Sequence, residues 1–127
     1  MILLVDDSKP MLKLLEMILK RRFSVHPVLS AFEAINWLQK GNTPDVIVTD
    51  IEIPHIDGVD FITHVSNSVY YNHIPILVLS GYSEEEVRKN NKSLKIEGYI
   101  TKPFDPVQLL GKISEIIIKN SSATRLN

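Results

Sequence analysis

Short apolar runs recur along this chain, none of them alternating with polar residues, and each is followed by a stretch with helical spacing. Four are plain: Ile2–Val5, Val46–Val48, Ile76–Leu79 and Tyr99-Ile100. A fifth and weaker one is Phe23–Val28. A run that is apolar at every position has no solvent face, so it reads as a strand buried on both sides, as in a parallel sheet. Pro27 lies inside the weak run and cannot donate to a sheet ladder, which puts that strand at an edge.

Between the runs the spacing predicts helices. Ser8 to Arg21 has a capping serine, Pro10 in its first turn and the basic end Lys20-Arg21-Arg22, with Met11, Leu14, Leu15 and Ile18 on one face. Ala31 to Lys40 is halted by Gly41, and a third helix runs from Gly58 to about Val69. Ser83 opens a fourth that reaches about Leu94, with three glutamates in its first turn, and Asp105 caps a fifth over Pro106–Lys119. The polar residues 120–127 read as a fraying tail. Strand and helix alternate five times, which predicts an α/β fold: a doubly wound, parallel five-stranded sheet with helices on both faces.

Composition removes several classes. The 127 residues fit one domain, and with 44% of them apolar the chain can bury a core unaided. There is no cysteine, hence no disulfide or thiolate metal site. Fourteen basic against 15 acidic residues give a net charge of −1. No basic stripe marks a nucleic-acid partner. No apolar run approaches a membrane span, so the expected setting is soluble and cytoplasmic, with no membrane partner.

The polar residues that follow the strands carry the chemistry. A doubly wound sheet binds ligands beyond the carboxyl ends of its strands, where the strand order reverses. In the flavodoxin-like order 2-1-3-4-5 that point falls between strands 1 and 3. Asp6 and Asp7 follow the first strand and Asp50 the third, while Ser80 and Lys102 follow the fourth and fifth on the same rim. Singly, each has an ordinary reading as a cap, a turn residue or a loop hydroxyl; the specificity lies in the set. Three carboxylates repel one another unless protonated or metal-bound. Few, oxygen-only protein ligands suit Mg²⁺, which keeps its waters and coordinates substrate phosphate. Lys102 supplies a cation and Ser80 a hydroxyl for phosphoryl oxygens, and an aspartate can then attack phosphorus to form an acyl phosphate.

The segments LLVDDS, VIVTDIEIPHIDG, ILVLSGY and YITKPF resemble the receiver domains of two-component response regulators, of which the chemotaxis regulator is the minimal example. The resemblance covers nearly the whole chain and implies a receiver domain over 1–119, with the strand order given above. It implies Asp50 as phosphoacceptor, with Lys102 and Ser80 completing the reacting set. Asp7 would bind Mg²⁺ (Mn²⁺ could substitute) directly, Asp6 mostly through water, and the backbone carbonyl of Glu52 would complete the protein ligands. Tyr99 takes the position of the family's switch aromatic, and Lys102-Pro103 that of its cis peptide. Glu52 and Tyr82 occupy positions that tune phosphoryl lifetime, and Gly81 leaves an open approach.

The implied function is signal transduction. A sensor histidine kinase or a histidine phosphotransfer protein donates to Asp50. Ser80 then moves toward the phosphoryl group and Tyr99 inward, and the surface of the fourth helix, fifth strand and fifth helix changes shape for a downstream protein target. The domain promotes its own phosphorylation and dephosphorylation but is no enzyme in the ordinary sense. It is expected as a monomer or a weak, phosphorylation-dependent dimer. Leu12 and Leu19 widen the apolar stripe of the first helix, and this flank, with Pro103 and Phe104, is the expected dock for the phosphodonor. His26, His55, His64 and His73 lack ligand spacing.

Three other readings compete. A non-phosphorylated pseudo-receiver acting as a protein-binding module is opposed by the full acidic set with Ser80 and Lys102. A Mg²⁺ phosphohydrolase would use a second aspartate two residues after its nucleophile, where this chain has Glu52. A nucleotide-binding module would need a glycine-rich loop, and Asp6-Asp7-Ser8 would repel a pyrophosphate.

Overall fold

In the computed structural model, residues 1–51 and 56–126 are described, with the backbone alone at 56–58, 90 and 122–126. The elements alternate as β1 (Ile2–Val5), α1 (Lys9–Leu19), β2 (Val25–Val28), α2 (Ala31–Gln39), β3 (Val46–Asp50), α3 (Ile56–Asn67), β4 (Ile76–Ser80), α4 (Glu84–Asn90), β5 (Gly98–Thr101) and α5 (Pro106–Leu126). The five strands form one parallel sheet in the order β2-β1-β3-β4-β5. Chain order therefore reverses between β1 and β3, as the sequence predicted. Pro27 sits on the edge strand β2, opposite Leu4.

Period-two alternation sorts the strand side chains into two cores. Leu3, Val5, Ile47, Ile76 and Val78 pack beneath α2, α3 and α4, meeting Leu38, Phe61, Ile62 and Val87. Ile2, Leu4, Val48, Leu77 and Leu79 point the other way, onto Leu15, Ile18 and Leu19 of α1 and Leu109, Ile113 and Ile116 of α5. Burial on both faces is why these strands read as continuous apolar runs.

Helix ends depart from the sequence reading for local reasons. Ser8 caps α1, accepting from Met11 N–H. Ser83 caps α4, its hydroxyl accepting from Glu86 N–H and donating to that residue's carboxylate. α4 stops at Asn90 rather than near Leu94. The Asn91 side-chain amide donates to the Val87 carbonyl, and Arg88 donates to the Leu94 carbonyl to hold the irregular exit. α5 does not end at Lys119 but runs on to Leu126. The residues beyond Lys119 are polar, yet no glycine or proline stops the helix there. Leu19 is wholly buried, and Leu12 lines a groove with Pro27, Val28 and Leu29, on the α2 side of α1 and away from Pro103 and Phe104. The expected flank of α1 thus divides between core and a second surface.

Candidate functional site

Parallel pairing brings the carboxyl ends of four strands to one rim. Asp50 ends β3 and Ser80 ends β4, while Asp6 directly follows β1 and Lys102 follows β5. Their heights are set by the ladder: Ile51 N–H donates to the Leu79 carbonyl, Lys102 N–H to the Ser80 carbonyl, and Asp6 N–H to the Val28 carbonyl.

At the centre, Lys102 Nζ lies 2.7 Å from Asp50 Oδ2. The pair is well covered, with the Asp50 side chain 5% and the Lys102 side chain 20% exposed. Asp6 is 1% exposed. Its Oδ1 accepts from Ser8 N–H at 2.9 Å, the turn that also starts α1. Burial, and then the negative charge of neighbouring Asp50, push the Asp6 carboxyl up from the usual 3.8 to about 6, although Ser8 N–H and Lys102 pull the other way. Lys102 therefore offsets only part of the crowding between the two carboxylates.

Two oxygens at this centre, Asp6 Oδ2 and Asp50 Oδ1, are buried and make no hydrogen bond. Buried acceptors without donors are costly. A hard divalent cation would satisfy both and neutralise the charge that Lys102 leaves, so the donors present fit Mg²⁺. Among the described residues no three His, Cys, Asp or Glu groups gather into a metal cluster. Mg²⁺ asks for less than that, commonly one or two carboxylates with waters. Asp7 is exposed on the rim beside Asp6. Glu52, whose carbonyl the sequence reading assigned to the metal, lies outside the described residues, as does His55.

Ser80 is fully buried, and its Oγ accepts from Tyr82 N–H at 3.1 Å. Half-buried Tyr99 donates its hydroxyl to the Tyr82 carbonyl at 2.7 Å. Burial raises the Tyr99 pKa, as do Glu84, Glu86 and Asp50, while the Ser80 hydroxyl lowers it. The Lys102-Pro103 bond is cis. A Cβ added to Gly81 would meet nothing within 4 Å, so the rim is open there. Sequence reasoning found Ser80 and Tyr99 but missed the Tyr82 peptide between them. No side-chain pattern announces a backbone bridge.

Fold and centre together define an open α/β domain that carries an aspartate–lysine pair beside a second buried carboxylate at its switch point. The response regulator receiver domain model matches residues 2–114, and this chain belongs to that family. It is 30% identical to the phosphate regulon transcriptional regulatory protein PhoB of Escherichia coli (strain K12), over 91% of this chain and 51% of that protein. With the regulatory protein VanRc of Enterococcus gallinarum it shares 29% identity, over 88% of this chain and 47% of the relative. The chain thus spans about half the length of these two regulators. Among solved structures it is similar to the chemotaxis response regulator CheY4 of Vibrio cholerae, with a TM-score of 0.79, 28% identity, and 91% and 96% of the two chains covered. No described helix is long and apolar enough to cross a membrane.

Proposed function

We propose that this receiver domain accepts a phosphoryl group on Asp50 in a Mg²⁺-dependent reaction. The observation that carries the reading is the pair of orphaned oxygens, Asp6 Oδ2 and Asp50 Oδ1, beside the 2.7 Å contact of Lys102 with Asp50. Asp6, Asp7, Asp50 and the Glu52 carbonyl would hold the ion, which when bound supplies positive charge for the phosphoryl oxygens. Asp50 attacks phosphorus with one carboxylate oxygen. The bond from phosphorus to the donor nitrogen or oxygen breaks, and its electron pair leaves with the donor. Lys102 passes from Asp50 to a phosphoryl oxygen, keeping a cation where charge builds. Ser80 swings to donate its hydroxyl to another of those oxygens, and the movement carries its Oγ away from Tyr82 N–H.

The donor is a sensor histidine kinase or a histidine phosphotransfer protein. It docks on the groove between α1 and the segment leading into α5, lined by Met11, Leu14, Ile18, Pro103, Phe104 and Pro106. The α4-β5-α5 surface then changes shape for a protein target. Incubation with acetyl phosphate and Mg²⁺, followed by intact-mass measurement, tests the reading. One added phosphoryl group, lost in Asp50→Asn and on chelation, is expected. No added mass under conditions that modify a control receiver would overturn it and leave a protein-binding module.

A further inference from the structure

Beyond that reading, we propose that the groove on the other side of α1 seats an acidic amphipathic helix from a protein partner. The groove, about 630 Å³, lies between α1 and the β2–α2 connection, with Pro10, Leu12, Pro27, Val28 and Leu29 along its apolar floor. Four charged groups stand around it. Glu16 is already paired with Lys20 at 3.1 Å. Glu33 accepts from Leu29 N–H at 2.7 Å, which ties down the connection itself. Lys9 and Lys13 form no ion pair among the described residues. Glu33 keeps its charge, but with Glu16 offset by Lys20 the balance around the groove is still positive, and it is concentrated in two ammonium groups one helical turn apart beside an apolar floor. Lys9 also stands at the start of α1, where the helix dipole adds to the positive field.

The edge strand decides the form of the occupant. The carbonyls of Ser24 and Val28 face β1, accepting from Ile2 and Asp6. By alternation the outward backbone belongs to Val25 and Pro27, and Pro27 has no N–H. An added strand would lose its ladder at the centre of the groove. A helix needs no ladder: it lays an apolar face on Leu12 and Leu29 and sets carboxylates four residues apart against Lys9 and Lys13.

Two synthetic helical peptides with one leucine face test this. One carries glutamates four residues apart beside that face, the other lysines at the same positions, and each is titrated into the isotope-labelled full chain. The glutamate peptide is expected to shift the amides of Leu12, Lys13 and Leu29, and to bind about tenfold tighter than the lysine peptide. Lys9→Glu with Lys13→Glu should reverse that preference and leave acetyl phosphate labelling of Asp50 unchanged; both side chains are exposed, and Lys9 stands in the first turn of α1, where acid is favoured. Equal binding of the two peptides, shifts centred on Leu14 and Phe104, or an unchanged preference in the double variant would overturn the proposal. So would saturable binding of decanoate in the groove when neither peptide binds. Loss of Asp50 labelling in the unaltered chain would instead strike the phosphoacceptor reading alone.

Discussion

Ser80 and Tyr99 are joined through one residue: Tyr82 gives its N–H to Ser80 Oγ, and its carbonyl accepts from the Tyr99 hydroxyl at 2.7 Å. A displacement of Ser80 toward Asp50 strips the Gly81–Tyr82 peptide N–H of its acceptor, and the next peptide along, through the Tyr82 carbonyl, is the one that holds Tyr99. In the proposed function this is the element that a phosphoryl group on Asp50 would bias.

The first prediction concerns that peptide. Phosphorylation should move the Tyr82 amide resonance of the unaltered chain, because its acceptor leaves. In Ser80→Ala the acceptor is already gone, so the resonance should begin displaced and respond little. An equal response in both proteins would break the link. Tyr99→Phe should cost only about 0.5–1 kcal/mol in urea denaturation, because water can replace its hydroxyl at the exposed Tyr82.

A second prediction follows from Asp6. Its carboxyl titrates at about 6 in the fold and near 3.8 when unfolded. Between those values the folded state binds more protons, so stability of the metal-free protein falls as pH rises through the window. Asp6→Asn removes that loss. Its amide keeps an acceptor for Ser8 N–H and adds a donor for an orphaned Asp50 oxygen. At pH 7 the metal-free variant should be more stable by roughly 2–3 kcal/mol, with the gain fading toward pH 4. Mg²⁺ should stabilise the unaltered chain more than the variant. Equal urea midpoints at pH 7 would show that the crowding of Asp6 and Asp50 costs nothing.

The fold was legible because its constraints are written in side chains. Runs such as Val46–Val48 announce burial on both faces, and Pro27 announces an edge. Helix ends were less legible. The amide of Asn91 and the guanidinium of Arg88 close α4 by reaching backbone carbonyls, and a polar residue looks the same whether it caps or merely faces water. The candidate residues could be gathered from the sequence because β1, β3, β4 and β5 each deliver a polar group to the rim. Their placement was hidden: nothing in the dipeptide says that Asp6 turns inward beside Asp50 while Asp7 stays exposed. The apolar excess of α1 was visible, yet its partition among core, the groove beside Phe104 and the groove beside Pro27 depends on tertiary neighbours.

A third prediction tests packing away from the chemistry. Gly98 opens β5 beneath α5, and a Cβ there would come within 2.9 Å of Leu77 Cδ1 and 3.0 Å of Lys112 Cε. The lysine end can swing aside, but Leu77 is fully buried. Gly98→Val should therefore cost about 1–3 kcal/mol by overpacking. Acetyl phosphate labelling of Asp50 should survive below the lowered unfolding midpoint. A urea midpoint equal to that of the unaltered chain would mean that α5 is free to lift from the sheet.

The last prediction separates the two sides of α1. Leu14 is 47% exposed and shares its groove with Phe104 and Pro106, beside Lys102. Leu12 lines the opposite groove, with Pro27 and Leu29. In the proposed function a phosphohistidine protein brings phosphorus to Asp50 across the apolar groove on the Lys102 side; acetyl phosphate needs no such surface. Leu14→Asp should thus slow transfer from a phosphohistidine protein that labels the unaltered chain by about tenfold or more, the effect of charging the centre of an apolar contact. The same substitution should leave labelling by acetyl phosphate unchanged. Leu12→Asp should affect neither reaction, because its side chain faces away from the transfer path. If Leu12→Asp slows protein-driven transfer and Leu14→Asp does not, the donor approaches over β2, and the assignment of the two grooves must be exchanged.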